Sequence, residues 1–149
     1  MLEAWLREPV RAHFEREEWG LRDEVPLNGR YADLVAQRDG ELVAVELKME
    51  DWREALAQAM HYQVAAHRAF IAMPLNHAIL PLRQRSRLER QGVGLLGVHP
   101  LGEVRVLLEA RESARRLPFL TQHTLRTVFP ESRPAPSVAV PLAVGAGSG

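Results

Sequence analysis

The stretch EVPLNGRYADLVAQRDGELVAVELK, residues 24–48, carries two reverse-turn dipeptides, Asn28-Gly29 and Asp39-Gly40, between runs of strand-forming residues. A type I′ turn needs positive φ at both central positions, which asparagine, aspartate and glycine tolerate best, so each dipeptide reads as the two-residue loop of a β-hairpin. Three antiparallel strands are expected, near residues 22–27, 30–38 and 41–48. With two-residue loops the numbers of opposed residues have a constant sum. The first loop sets Leu27 against Arg30, and hence Glu24 against Asp33; the second sets Arg38 against Glu41, and hence Asp33 against Glu46. Directly opposed residues share a face with Cβ atoms about 5 Å apart. Three carboxylates are therefore expected in one row, joined by Lys48 two residues beyond Glu46. A bulge would shift the register by one and break the row.

Opposed like charges destabilise a sheet, so such a row calls for a cation. Carboxylate oxygens suit magnesium or manganese, and one or two of them, with water and phosphate completing the shell, is the usual magnesium arrangement. Lys48 is the sole lysine among nineteen basic residues. Its compact ammonium fits beside a metal site or a scissile phosphate in a way a forked guanidinium does not. In the third strand Leu42 and Ala44 alternate with Val43, Val45 and Leu47, apolar on both faces as in a covered central strand, and Glu46 and Lys48 emerge at its end.

Asp51-Trp52-Arg53-Glu54 then reads as a helix start with a capping-box pattern. Trp52, Ala55, Leu56, Ala59, Gln63 and Ala66 recur at helical spacing as a stripe able to pack on the sheet. Gln58 and Tyr62 lie at its edge, one turn apart.

Together these residues resemble the PD-(D/E)XK nuclease superfamily, whose signature is an acid on one strand followed by (Asp or Glu)-x-Lys on the next. Here it reads Asp33, twelve intervening residues, then Glu46-Leu47-Lys48, with Ala32 where proline is usual. Gln58-x-x-x-Tyr62 is similar to the motif of the RecB-like branch. The resemblance implies an α/β, restriction-endonuclease-like core: N-terminal helix, three-strand meander, helix, fourth strand, helix and further short strands. It also implies hydrolysis of phosphodiester bonds in nucleic acid, with DNA the expected substrate. Mg²⁺ or Mn²⁺ would be held by Asp33, Glu46 and the main-chain carbonyl of Leu47. Lys48 would complete the catalytic group with Asp33 and Glu46, and Gln58 and Tyr62 would support the substrate. A further acid is often found on the first helix of this family. Glu15, Glu17 and Glu18 cluster near the end of that helix with nothing to choose among them, and hairpin register favours Glu24 instead. The alternative is a catalytically weak or inactive module of the same fold that binds nucleic acid or a protein partner.

Outside the motif, Leu2, Trp5, Leu6, Val10 and Phe14 form an apolar helical stripe interrupted by Pro9, which suggests a kink or a late start. Residues 67–73 read as the fourth strand, ended by Pro74 and Asn76. Pro81 suits a first helical turn, and residues 82–91 read as a helix stopped by Gly92. That helix would expose Arg83, Arg85, Arg87 and Arg90, either as phosphate contacts or as a solvated face balanced by Glu89. Residues 93–98 and 104–108 read as two more strands, followed by a second basic cluster at Arg111, Arg115 and Arg116.

One domain over residues 1–117 is expected. A short helix or irregular extension would follow at 118–130, and a low-complexity tail at 131–149, whose segment 138–144 is apolar enough to dock on something. Nineteen basic residues balance nineteen acidic ones, so no overall basic field advertises nonspecific DNA binding. Absence of cysteine excludes disulfides, thiol catalysis and thiolate zinc sites. The chain has no apolar run of about 18 residues, so no membrane partner is expected and a cytoplasmic protein is the simplest inference. No phosphate loop, no Gly-x-Ser-x-Gly elbow and no metalloprotease histidine spacing occurs. A homodimer or other protein partner is left open, because no heptad or apolar face decides it.

Overall fold

The structure, a computed structural model, describes residues 3–131. The elements run α1 (Ala4–Glu15), β1 (Gly20–Leu27), β2 (Arg30–Arg38), β3 (Glu41–Leu47), α2 (Trp52–Tyr62) and β4 (Arg68–Pro74), then α3 (Leu75–Arg83), α4 (Arg85–Gln91), β5 (Gly94–Val98), β6 (Val104–Leu108) and α5 (Pro118–Val128). Both turn dipeptides behave as expected, with φ of 52° and 87° at Asn28 and Gly29 and 52° and 84° at Asp39 and Gly40. They build the meander β1-β2-β3 at one side of a six-stranded mixed sheet ordered β1-β2-β3-β4-β5-β6. The β3-β4 and β4-β5 pairs are parallel, so each needs a helical crossover: α2 supplies the first, α3 and α4 the second. Strand β6 returns antiparallel on β5.

Three layers result. On one face Leu6, Val10 and Phe14 of α1 pack against Leu34, Val43, Val45, Leu47, Phe70 and Leu96. On the other, α2 with α3 and α4 covers Ala69, Ile71, Met73 and Leu95, and α5 covers the meander. Strand β3 is buried almost throughout, the apolar-on-both-faces pattern of a central strand. Burying each leucine or valine here contributes roughly 1.5–3 kcal/mol before entropy is counted.

Four expectations need correction. Helix α1 is continuous through Pro9, and Trp5 is 41% exposed because the Leu6, Val10, Phe14 spacing of four puts it off the buried stripe. Strand β4 does end at Pro74, but Asn76 is helical rather than part of a break, and Pro81 lies inside α3 rather than in its first turn; the helix starts at Leu75, and Ala78 and Pro81, three apart, are both buried. The break falls at Gln84, which separates α3 from α4. Residues 118–128 form the short helix, one of the two expected forms, but it belongs to the core, so the packed unit runs past residue 117: Thr121 and Thr124 are buried, and Leu120, Leu125, Val128 and Phe129 pack on the cluster containing Val25, Leu27 and Tyr62. Glu131 pairs with Arg22 at 2.6 Å; the remainder of the tail, including segment 138–144, lies outside the described residues.

Gly94 in β5 has a packing reason. A Cβ there would sit 2.5 Å from the Phe70 ring and 2.7 Å from the Ala110 nitrogen. Gly94→Ala is expected to lower stability by about 1–3 kcal/mol through overpacking. A urea midpoint equal to wild type would contradict this.

Candidate active site

The site begins where β2 parts from β3. Their ladder ends at Leu34 opposite Val45. One residue further, the Asp33 side chain replaces the main chain as acceptor: its Oδ2 takes the Leu47 N–H at 2.8 Å. The Asp33 carbonyl accepts instead from Arg7 Nη1 of α1, also at 2.8 Å. The splay thus leaves neither group unsatisfied, and it places one carboxylate on the N–H of the residue between Glu46 and Lys48.

Strand β1 turns over at the same level. Its register on β2 has the expected sum on both sides, Val25 opposite Ala32 and Asp23 opposite Leu34. Glu24 between them, however, has φ 51°, a left-handed conformation that interrupts the alternation of faces. Leu21 and Leu34 pack toward α1, whereas Val25 and Ala32 join the cluster on the opposite face. The three-acid row is therefore corrected to two. Glu24 swings to Arg7, with Nη2 to Oε2 at 3.0 Å and the carboxylate side chain 58% exposed, and acts on Asp33 only through its charge.

Glu46 is 6% exposed. Burial, then the nearby Asp33 carboxylate, pushes its pKa from 4.5 to about 7, although the Tyr62 hydroxyl and Lys48 pull the other way. Asp33 is raised too, by burial first, with the Leu47 N–H opposing. Tyr62, near the C-terminal end of α2, places its hydroxyl 2.8 Å from Glu46 Oε1 and 2.9 Å from the Tyr31 carbonyl. That hydroxyl carries a single proton for two acceptors. A protonated Glu46 can donate to Tyr62 and release its proton to Tyr31, which is a second reason the acid form is tolerated here. Burial and the Glu46 charge push the tyrosine itself upward, so it stays a phenol.

Lys48 reaches α2, its Nζ 2.5 Å from Glu54 Oε1. The hydrogen bond to Glu54 is the main reason its pKa lies above the ordinary 10.5. Only half of the expected capping box forms: the Asp51 side chain accepts from the Glu54 N–H at 3.3 Å, while the Glu54 side chain is engaged by the lysine. Behind the loop, His77 Nδ1 lies 2.6 Å from the Met49 carbonyl and ties α3 to the residue after Lys48. Gln58 is half-buried on α2, and its Oε1 is a buried acceptor with no partner among the described residues.

Sequence reasoning missed Glu3. This residue, at the N-terminal end of α1, acts electrostatically on Asp33, Glu46 and Lys48 together. The signal was in the topology. Helix α1 delivers the chain to Gly20, which pairs with Gln37 at the far end of the β1-β2 ladder from Asp33, so the start of the helix faces the acids. Glu15, Glu17 and Glu18 sit at the wrong end: Glu15 pairs with Arg11, and the Glu17 carbonyl accepts from Arg38. Arg83, Arg85, Arg87 and Arg90 are all exposed. Arg85 pairs with Glu89 at 3.3 Å, and Arg87 and Arg53 lie over the Trp52 ring at 5.3 and 4.6 Å, at the start of α2.

Among the described residues no three His, Cys, Asp or Glu side chains converge closely enough to hold an ion unaided. Two buried-side carboxylates, each using one oxygen for a protein hydrogen bond, fit a magnesium-type site completed by water or phosphate. The fit is to such a partial shell and not to a full protein cage. No helix among the described residues is long and apolar enough to cross a membrane.

The chain matches no family model and no curated protein. Among solved structures it is similar to a protein of unknown function from Silicibacter pomeroyi, with TM-score 0.64 and 18% identity over 85% of this chain and 82% of that one. At that identity the likeness speaks for the fold, a mixed α/β arrangement with a six-stranded sheet.

Proposed function

We propose that this chain is a metal-dependent nuclease-like domain that hydrolyses phosphodiester bonds in nucleic acid, DNA being the expected substrate. The observation that carries the reading is the bond from the Leu47 N–H to Asp33 Oδ2, which joins Asp33 to the Glu46-Leu47-Lys48 segment across two strands. Asp33, Glu46 and the Leu47 carbonyl would hold Mg²⁺ or Mn²⁺. A divalent cation there supplies Lewis-acid polarisation of the phosphate and lowers the pKa of water. Tyr62 fixes the Glu46 carboxyl by its hydroxyl, and Lys48 offers positive charge where negative charge develops on the phosphate. Gln58, one turn before Tyr62 on α2, would support the substrate side.

The test is incubation of linear, nicked, branched and single-stranded DNA with Mg²⁺ or Mn²⁺, alongside Mn²⁺ calorimetry. Wild type is expected to cut at least one substrate, and Asp33→Asn to lose both cutting and the calorimetric site. Absence of Mn²⁺ binding by wild type would sink the proposal. A second reading, a module that binds nucleic acid or a protein partner without turnover, is favoured by the engagement of Lys48 with Glu54. Its signature is DNA or protein binding that survives in Asp33→Asn, with no cutting by either form.

A further inference from the structure

We propose a second binding site, for a phosphate monoester, in the cleft between the C-terminal end of α2 and residues 111–115. The cleft measures about 300 Å³, at the small end of the range for small-ligand pockets. Gln63, Arg90, Arg111, Glu112 and Arg115 line it. It lies beyond the N-terminal ends of β4 and β5, whereas Glu46 and Lys48 lie at the C-terminal end of β3, which runs parallel to β4 as β4 does to β5. The inference is therefore independent of the nuclease reading.

Charge is the first argument. Arg111 donates to the Glu89 carbonyl, and Arg115 donates to Gln91 Oε1 at 2.9 Å. Both acceptors are neutral, so the guanidinium groups are oriented without being neutralised. Arg90 has no side-chain partner among the described residues, and Glu112 is the sole carboxylate on the lining. Three guanidinium groups against one carboxylate leave an excess of two positive charges, matching the nearly doubly charged monoester at neutral pH. Guanidinium forks bind phosphate oxygens in pairs.

Gln63 supplies the second argument. It is 1% exposed, its Nε2 is fixed by donation to the Gln91 carbonyl at 2.7 Å, and its Oε1 has no hydrogen-bond partner. A buried acceptor left alone is costly, and a ligand carrying an O–H or N–H donor satisfies it. Hydrogen phosphate and a nucleoside monophosphate both bring acidic oxygens and such donors. The opposite rim is held in place, because the Ser113 N–H donates to the His67 carbonyl at 2.7 Å and Ser113 Oγ to the Gln63 carbonyl at 2.8 Å.

Calorimetric titration of the full chain at low salt, without divalent metal, with inorganic phosphate, AMP and adenosine tests this. Phosphate and AMP are expected to bind, and adenosine not. Arg90→Gln, which removes no side-chain hydrogen bond or ion pair among the described residues, and Arg115→Gln are expected to weaken binding by about tenfold each, as loss of a charge-assisted bidentate contact should. Lys48→Met is expected to bind like wild type. The proposal is overturned if wild type binds neither phosphate nor AMP, if adenosine binds as well as AMP, or if both arginine variants match wild type. Loss of binding in Lys48→Met overturns it as well, since that would place the phosphate at the end of β3.

Discussion

On the proposed nuclease function, Lys48→Met is expected to reduce DNA cleavage by about 10²–10³-fold, mainly in kcat, the usual consequence of removing one preorganised group that stabilises developing charge. The side chain is held with its Nζ on Glu54, and its pKa is raised, so it stays protonated at any working pH. A permanently charged ammonium cannot abstract a proton from water; its contribution has to be electrostatic. Methionine keeps the apolar stem and loses the charge, and the Glu54 it leaves unpaired has a side chain 53% exposed to solvent. The fold should tolerate the change. Because Lys48 also helps lower the Glu46 pKa, which lies at about 7, Mn²⁺ affinity in the two proteins is best compared as a profile rising from pH 7 rather than at a single pH. Retained Mn²⁺ binding with lost cleavage is the expected pair of results. Undiminished cleavage would remove Lys48 from the chemistry, and lost Mn²⁺ binding would give it a different role.

What the sequence made legible was local. Asn28-Gly29 and Asp39-Gly40 each specify a turn within two residues, and the β2-β3 register that brings Asp33 to the Glu46-Leu47 segment follows by counting from them. Asp51 announced α2 in the same way, through a cap that acts within one turn. The errors share a different origin. Glutamate gives no hint that it will adopt positive φ, so Glu24 could not be seen leaving the row. Glu3 required knowing which end of α1 faces the acids, a consequence of strand pairing at Gly20 and not of the helix itself. Glu54 was readable as a capping residue, but its engagement by Lys48 depends on how α2 crosses the end of β3. Likewise the polar-looking Thr121 and Thr124 of α5 are buried because their hydroxyls find the carbonyls of Ala65 and Leu120, which no apolar stripe reveals.

Glu46→Gln is expected to make the metal-free protein more stable at pH 8 while abolishing Mn²⁺ binding. In the folded chain Glu46 keeps its proton up to about pH 7, and in the unfolded chain only to the ordinary 4.5. Between those values the native state binds more protons than the unfolded state, so wild-type stability falls as pH rises through the window and levels off above it. A shift of that size, at about 1.36 kcal/mol per unit, corresponds to a cost of up to about 3 kcal/mol at pH 8. Raised Asp33 adds to the slope in the same direction. Glutamine is never charged, and its amide oxygen still accepts from Tyr62, so the variant escapes the Glu46 part of the cost. Urea unfolding in EDTA should show the two proteins converging near pH 4.5 and separating toward pH 8, with the variant above. Adding Mn²⁺ at pH 8 should stabilise wild type, by binding the native state alone, and leave the variant unchanged. A variant less stable than wild type at pH 8, or a difference that does not vary with pH, would mean that Glu46 is not a carboxylate held against its own ionisation. The metal-free protein would then carry no stability cost at Glu46, and a carboxylate kept ready for a cation would lose this support.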